Sequence, residues 1–225
     1  MKLLIIKFVR KISRFLGYRL DFTPLIINDH RNNKAIYIER LSRSVSDLDG
    51  DIVECGLGNG VTFERLGQVA KESSKKLFGF DSFQGFPKPS DEDVSSWVIN
   101  EGDWSHANIS NIESRVKKSV PKDFFDTHIH IIPGFFKDTF KNETAIKNIS
   151  FLHLDVDLYS SYIDCLNHFF DRVVKGGVIA IDEYLNGIEY AKYPGGYISI
   201  SEFFKDKKVD VCRDIDTGKY YLRKL

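Results

Sequence analysis

The feature that most constrains the fold is a short β-branched run that opens into alternating glycines, Asp51-Ile-Val-Glu-Cys-Gly-Leu-Gly-Asn-Gly60. Glycine lets the backbone turn at positive φ and lets another group approach the main chain where a Cβ would collide. The next ten residues, 61–70, have apolar positions at helical spacing, so the glycines lie between a strand and a helix start. In open α/β sheets this junction binds nucleotide-like cofactors. The stretch therefore predicts an α/β sheet with a cofactor crevice.

The glycine spacing indicates which class of cofactor to expect. Gly56, Gly58 and Gly60 form Gly-x-Gly-x-Gly, which differs from the Gly-x-Gly-x-x-Gly of dinucleotide binders. A tight turn without a ligand is the alternative explanation. However, Glu54 precedes the turn, and Asp81 ends the next strand-like run, where a carboxylate can accept both hydroxyls of a ribose. S-adenosylmethionine (SAM) methyltransferases hold their cofactor with this combination, so we expect SAM binding.

Composition bounds the class of protein. The chain has 225 residues, which suits one domain with a substantial core. Its 32 basic and 32 acidic residues cancel, so no general attraction for nucleic acids is expected. The three cysteines have no paired or metal-ligand spacing and are typical of a reducing compartment. We therefore expect a cytoplasmic protein that does not bind nucleic acid.

The first eighteen residues form an apolar run that basic residues interrupt: Lys7, Arg10, Lys11 and Arg14. The run is too short and too charged to span a bilayer, and it lacks the cleavage site of a signal peptide. It predicts a basic amphipathic helix packed on the domain or on a second subunit, with a membrane-surface helix as the alternative. We expect residues 1–33 to form this helix and an arm that supports a homo-oligomer, and residues 34–225 to form the methyltransferase domain.

Strand and helix signals alternate from residue 34 onward. The pattern predicts helices at 34–48, 61–73, 108–119 and 161–174, and strands at 51–55, 77–80, 127–132, 149–154 and 177–181. Two further alternating runs flank a turn at 215–218 and predict a C-terminal hairpin. Alternation implies parallel strands with helices on both faces. The expected fold is the Rossmann-like, mostly parallel sheet of class I SAM-dependent methyltransferases, ending in an antiparallel hairpin.

Two segments are poor in regular signals, residues 84–105 and 184–197. Each follows a predicted strand, so each should lie over the crevice, where long irregular loops often bind ligands or act as lids. The first contains Trp97 and Trp104, and the second contains Tyr190 and Tyr193. The alternative is an ordinary surface loop, and the aromatic content favours a functional role only modestly.

Acidic residues follow two buried strand-like runs. Asp155 and Asp157 follow the fourth predicted strand, and Asp182 and Glu183 follow the fifth. Four carboxylates at neighbouring strand ends would raise one another's pKa unless a cation lay between them. Carboxylate oxygens with room for water suit Mg²⁺. Capping of helices is the alternative for one or two of these acids, but it does not easily account for all four.

Five segments together resemble the macrocin O-methyltransferase family: Glu54-Cys-Gly, Phe80-Asp-Ser-Phe-Gln-Gly-Phe-Pro87, Pro133-Gly-Phe-Phe-Lys-Asp-Thr139, Leu154-Asp-Val-Asp-Leu-Tyr159 and Lys175-Gly-Gly-Val-Ile-Ala-Ile-Asp-Glu-Tyr184. The resemblance covers residues 34–184. Members of that family methylate sugar hydroxyls in macrolide and aminocoumarin antibiotics. The resemblance therefore implies a SAM-dependent, Mg²⁺-dependent O-methyltransferase acting on a sugar or glycosylated metabolite.

The resemblance also implies roles for single residues. Asp155, Asp182 and Glu183 match the metal ligands, and Asp157 matches the general base. The antibiotic members usually carry Asp where this chain has Glu183, so this ligand is one methylene longer. The residues expected to contact the cofactor are Glu54, Gly56, Gly58, Gly60, Asp81, Ser82, Gly134, Phe135, Phe136 and Asp155. Of these, the segment 134–136 would line the adenine pocket, and Phe136 is equally well explained as a core residue.

Two other functions fit the same residues. A catechol-type phenol could be the acceptor, because adjacent phenolic oxygens also chelate Mg²⁺. A non-catalytic SAM-binding subunit is the third hypothesis. His128 and His130 would share a strand face, where a structural role is favoured over a metal site. His106 is the next candidate for the base if Asp157 is not the base.

Overall fold

The computed structural model describes residues 24–183 and 191–225, with side chains described from residue 33. It contains helices α1 (Pro24–Arg43), α2 (Val61–Ser73), α3 (Ile109–Ser119), α4 (Lys122–His128), α5 (Phe136–Thr139), α6 (Tyr159–Phe169) and α7 (Pro194–Phe204). The strands are β1 (Asp51–Cys55), β2 (Leu77–Asp81), β3 (Ile129–Pro133), β4 (Ile149–Leu154), β5 (Val173–Ile181), β6 (Val209–Arg213) and β7 (Tyr220–Lys224). The predicted N-terminal amphipathic helix lies outside the described residues.

The seven strands form one sheet in the order β3-β2-β1-β4-β5-β7-β6. Strands β1 to β5 pair in parallel, whereas β7 pairs antiparallel with both β5 and β6. Strands β1 and β4 are neighbours at the centre of the sheet. The chain adds β2 and β3 on the side of β1, and β5 on the side of β4, so the strand order changes direction between β1 and β4. The predicted class I methyltransferase topology with a C-terminal hairpin is confirmed.

The sheet is buried on both faces, and alternate strand residues serve the two sides. Along β5, Ile179 and Ile181 pack with α6 and α7, whereas Val178 and Ala180 pack with α1, α2 and α3. Gly79 in β2 leaves room for the ring of Phe63, since a Cβ there would lie 2.5 Å from it. In the described residues no helix is both long and apolar enough to cross a membrane.

Two predicted strand boundaries were wrong. Strand β3 begins at Ile129, since Thr127 and His128 complete helix α4, where His128 stacks on Phe124 with ring centroids 4.4 Å apart. The predicted shared face of His128 and His130 therefore does not exist, and His130 instead stacks on Phe78 at 4.7 Å. The β-branched content of this stretch suits a strand, but the stacking of His128 on Phe124 one turn earlier in the same helix favours the helical conformation.

Strand β5 also begins earlier than predicted, at Val173, and the helix before it ends at Phe169 rather than at residue 174. The Lys175-Gly-Gly segment interrupts the pairing with β4, because Ile149 pairs with Val173 while Phe151 pairs with Val178. The glycines thus form a bulge inside the strand instead of a turn before it.

The first predicted helix, 34–48, is α1, which begins at Pro24 and ends at Arg43. The carbonyls of Leu41 and Arg43 accept from the hydroxyls of Ser44 and Ser46 as well as from the backbone N–H groups of the same two serines. Polar hydroxyls after a helix compete with its own hydrogen bonds, and this explains the early end.

Candidate active site

The carboxyl ends of the parallel strands meet at one edge of the sheet. Four backbone hydrogen bonds continue the ladder just past the strands, namely Gly56 N–H to Phe80 O (2.8 Å), Gly134 N–H to Asp81 O (2.9 Å), Asp155 N–H to Cys55 O (3.0 Å) and Asp182 N–H to Leu154 O (3.1 Å). The residues at this edge are therefore held at fixed positions by the sheet itself. The glycine turn and the acidic residues lie next to one another there.

The three glycines of the turn are required for different reasons. A Cβ at Gly56 would lie 1.9 Å from the carbonyl oxygen of Asp155, and one at Gly60 would lie 2.9 Å from the side chain of Ile112. These two positions are imposed by packing within the protein. Gly58 has φ +49° and has nothing within 4 Å of the position of a Cβ. Of the three, only Gly58 faces open space, where a ligand could approach the backbone.

Asp81 holds the turn in place. Its Oδ2 accepts hydrogen bonds from the backbone N–H of Leu57 (2.8 Å) and of Gly58 (3.2 Å), and its Oδ1 accepts from the N–H of Phe83 (2.8 Å). A carboxylate has about four lone-pair positions, so it retains capacity for a further donor. Its contact with a ribose stays a prediction.

Glu54 is buried within the sheet and not at its edge. It lies directly opposite His153 on the neighbouring strand, and His153 Nδ1 is 2.8 Å from Glu54 Oε1. The imidazole and the carboxyl group thus satisfy each other by a hydrogen bond between Nδ1 and Oε1. Both side chains are almost fully buried, and a buried polar group needs such a partner. Direct contact of Glu54 with a cofactor stays a prediction, while the pairing with His153 was not foreseen.

The other predicted cofactor residues lie after β2 and β3. The Ser82 hydroxyl donates to a backbone carbonyl three residues later and closes the turn after β2. Gly134 has φ +134°, and Phe135 precedes the short helix α5 in extended conformation. Phe136 stacks on Phe140, with ring centroids 5.4 Å apart, and packs against the core. Phe136 is thus a partly buried residue at the margin of the core, and its contact with the cofactor stays a prediction.

Asp155, Asp182 and Glu183 come together as predicted. Each offers a carboxylate oxygen, and these three oxygens lie within 4.8 Å of one another. Asp182 and Glu183 are buried, whereas Asp155 is half-buried. A cluster of this kind can hold a hard divalent cation, because Mg²⁺ prefers carboxylate oxygens and retains several waters. Whether these residues bind a metal stays a prediction.

Two side chains orient the acids of this cluster. Lys219 Nζ lies 2.6 Å from Asp182 Oδ1, in an ion pair that is almost fully buried. The hydroxyl of Tyr162 donates to Glu183 Oε2. Complete burial raises the pKa of the Tyr162 hydroxyl well above its usual range, and the charge of Glu183 raises it further. Tyr162 therefore stays protonated and acts as a hydrogen-bond donor to Glu183.

Asp157 leaves the line of the strand. Its φ is +56°, a left-handed conformation that aspartate tolerates better than most residues. Burial raises the pKa of the Tyr193 hydroxyl, and the charge of Asp157 raises it further, ahead of the charges of Glu183 and Asp155. Tyr193 therefore lies within the electrostatic influence of Asp157, Glu183 and Asp155, of which Asp157 has the largest effect.

The loop at 84–105 is anchored close to this site. Asp93 is buried, and its Oδ1 accepts a hydrogen bond from the backbone N–H of Tyr159 (2.8 Å) at the start of α6. The indole N–H of Trp104 donates to the hydroxyl of Tyr193 (3.1 Å). The second segment, predicted to be irregular up to residue 197, enters helix α7 at Pro194. His106 is exposed and its ring lies 5.3 Å from that of Trp104.

Lys219 is, like Tyr162 and His153, a residue of the site that sequence reasoning missed. Ala180 pairs with Tyr221 in the antiparallel register of β5 and β7. Extending that register by two residues places Lys219 opposite Asp182. Only the pairing of β7 with β5 identifies Lys219 as a partner of Asp182, since nothing in the residues around a hairpin lysine indicates such a contact.

We expect Lys219→Met to lower stability, because it leaves Asp182 buried without its cation. Removing one partner of a buried ion pair costs about 3–5 kcal/mol, which for a chain of this size is roughly 10 °C in Tm. If Asp182 also binds a metal, saturating Mg²⁺ should recover part of the loss. Thermal unfolding with and without Mg²⁺ measures both effects, and Lys219→Arg is the charge-retaining control. An unchanged Tm in Lys219→Met would contradict a structural role for the pair.

Curated relatives of the chain are O-methyltransferases. It is 27% identical over 146 residues to mycinamicin III 3''-O-methyltransferase of Micromonospora griseorubida. This alignment covers 61% of this chain and 56% of that protein. It is 25% identical over 157 residues to demethyldecarbamoylnovobiocin O-methyltransferase of Streptomyces niveus, covering 66% of this chain and 60% of that protein. The chain thus spans less than two thirds of the length of these relatives.

Among solved structures, the calicheamicin methyltransferase CalS11 matches with a TM-score of 0.73 and 20% identity, over 95% of this chain and 90% of that one. At this identity the match shows the fold alone. The family model described as macrocin-O-methyltransferase (TylF) matches residues 33–224, which is most of the chain. Because this match covers most of the chain, and because the sheet order and the glycine turn agree with it, the chain belongs to the macrocin-O-methyltransferase family.

Proposed function

We propose that this protein transfers a methyl group from SAM to a sugar hydroxyl, and that Mg²⁺ is required. The observation that carries the proposal is the grouping of Asp155, Asp182 and Glu183, whose carboxylate oxygens lie within 4.8 Å beside a glycine turn with one open position. O-methyl transfer is also the reaction named for the curated relatives. The substrate named for one of them contains a rhamnosyl group.

The donor set fits a divalent cation. Three carboxyl groups supply the hard oxygen ligands that Mg²⁺ prefers, and the ammonium of Lys219 lies beside Asp182 Oδ1. Asp155, Asp182 and Glu183 would hold the ion. When bound, it would supply two coordination positions for adjacent hydroxyls and would lower the pKa of the one to be methylated.

The cofactor would lie over the glycine turn. Gly58 leaves space for it at the backbone, and Asp81 holds that part of the turn through two hydrogen bonds. Asp81 would accept from the ribose hydroxyls, and residues 134–136 would border the adenine. Glu54, fixed by His153, supports β1 directly below the turn. Methyl transfer from a sulfonium leaves a neutral thioether, so no acid is needed for the leaving group.

The remaining task for the protein is to remove the hydroxyl proton. Asp157 is the proposed general base, since it leaves the line of the strand in a left-handed conformation and its charge raises the pKa of Tyr193 more than that of any other carboxylate. A positioned base contributes typically about 10²–10⁴-fold to the rate. Tyr193 and Trp104 would exclude water on that side, because their hydrogen bond joins the two segments that border the site.

Assembly through residues 1–33 and a cytoplasmic location stay predictions, as does the division into an N-terminal arm and a domain at 34–225. They do not bear on the chemistry proposed for the acidic cluster.

The proposed function is tested by assaying methyl transfer from labelled SAM to two panels of acceptors, nucleotide sugars and catechols. We expect transfer to a sugar hydroxyl, its loss with EDTA and its return with Mg²⁺. Transfer to catechols alone would show that the acceptor is a phenol and not a sugar. SAM binding without transfer to any acceptor would favour a non-catalytic subunit, and full activity in excess chelator would make the three acids structural.

A further inference from the structure

We infer that the acceptor carries a nucleoside diphosphate, bound by an aromatic wall beside the acidic cluster. This wall consists of Trp97, Trp104 and Tyr193 together with Lys192. The inference rests on the proposed function, because it names the class of acceptor for the same site.

The wall is a grouping of three rings around one ammonium. Lys192 Nζ lies 4.7 Å from the ring centroid of Tyr193 and 5.3 Å from those of Trp97 and Trp104. The chain has two tryptophans, and both are in this group. They are 58% and 48% exposed, respectively, so the ring surface that Lys192 does not cover is available to a ligand.

Hydrogen bonds hold the wall together and link the two separate segments that form it. The hydroxyl of Ser95 donates to the carbonyl of Lys192 (3.0 Å) and accepts from the backbone N–H of Trp97 (3.1 Å). The indole of Trp104 donates to Tyr193 (3.1 Å). The loop at 84–105 and the residues before α7 therefore present the rings and the lysine together.

The wall borders the site of the proposed chemistry. Tyr193 is buried and lies three residues before Gly196, where a Cβ would lie 2.9 Å from the Cβ of Glu183 and 3.2 Å from the carbonyl oxygen of Asp157. A ligand lying on the two indoles would thus reach the acidic cluster past Tyr193. This is the arrangement expected for an acceptor whose hydroxyls lie at the carboxylates and whose remote part lies on the wall.

The positive charge of Lys192 favours an anionic ligand among those that could stack on the aromatic wall. In the described part of the chain no carboxylate forms an ion pair with its ammonium. An anionic part of a ligand on the wall needs a cationic partner, and the ammonium of Lys192 lies against the same three rings. A base stacks on exposed indoles, and a diphosphate pairs with an ammonium, so a nucleoside diphosphate satisfies both features.

Tryptophan fluorescence reports on this wall directly, since it contains both tryptophans of the chain. We expect TDP alone to quench the fluorescence saturably, and thymidine or pyrophosphate to bind more weakly. Trp97→Ala and Lys192→Met should each weaken TDP binding about tenfold or more, as expected for loss of base stacking or of a phosphate contact. Lys192→Arg should retain most of the affinity. Lys118→Met, an exposed lysine on α3, should change nothing.

The controls separate this inference from the proposed function. SAM binding measured by calorimetry should be the same in all these variants, which also shows that they are folded. The inference is overturned if millimolar TDP gives no saturable quenching, or if a neutral aromatic glycoside binds as well as TDP and Lys192→Met binds TDP normally. If TDP binds but SAM does not, the proposed function fails while the nucleotide site stands.

Discussion

Replacing Gly58 by valine is expected to weaken SAM binding by at least about 100-fold, which corresponds to about 2.7 kcal/mol. Gly58 is the glycine of the turn whose Cβ would enter open space, whereas Gly56 and Gly60 face the protein. A valine there would occupy the volume in which the cofactor is proposed to lie against the backbone. Isothermal calorimetry with SAM measures the affinity, and thermal unfolding measures the stability.

The control must separate steric exclusion of the cofactor from backbone strain. Gly58 has φ +49°, where a non-glycine residue costs about 1–2 kcal/mol whatever the space around it. Gly102 has φ +83° and also has nothing within 4 Å of a Cβ. Gly102→Val should therefore carry a similar strain and lose similar stability, yet bind SAM normally. Equal SAM affinity in Gly58→Val and the wild type would remove the proposed cofactor position.

Asp157→Asn is expected to lower kcat by about 10²–10⁴-fold while leaving SAM and metal binding unchanged. The substitution is well suited to the position, because asparagine, like aspartate, tolerates the left-handed backbone observed there. The side chain keeps its size but can no longer take a proton at neutral pH. Steady-state kinetics with saturating acceptor, together with SAM calorimetry, measures the two effects separately.

The matched comparison is His106→Gln, since His106 is the next candidate for the base and lies beside Trp104. We expect this variant to keep kcat within about threefold of the wild type, well inside the range that excludes a general base. The assignment to Asp157 fails if Asp157→Asn loses less than about tenfold in kcat while His106→Gln loses the larger factor.

Local sequence signals predicted much of the framework. The glycine turn, the acid at the end of β2 and the acids after β4 and β5 each follow a buried strand, and parallel pairing brings such ends to one edge. The grouping of Asp155, Asp182 and Glu183 could therefore be predicted before any contact was known. The C-terminal hairpin was predictable from two alternating runs around a turn.

The parts that could not be predicted depend on contacts between distant segments. Glu54 pairs with His153 because β1 and β4 are neighbours in a register that neither strand specifies alone. Lys219 meets Asp182 only through the antiparallel pairing of β7 with β5. The bulge at 175–177 looked like a turn, because glycine suits both structures. In each case the local residues permit several structures, and tertiary packing selects one.

Binding of Mn²⁺, followed by electron paramagnetic resonance of the free ion, tests most directly whether the three carboxylates form a metal site. Mn²⁺ is a suitable probe because it accepts the same oxygen ligands as Mg²⁺. We expect one ion per chain in the wild type, and at least about tenfold weaker binding in Asp155→Asn and Glu183→Gln, since a charged ligand contributes well over 1.4 kcal/mol. Asp123→Asn, an exposed acid on α4, should bind as the wild type does. Stoichiometric Mn²⁺ binding that survives unchanged in both ligand variants, or no binding in the wild type, would contradict the account.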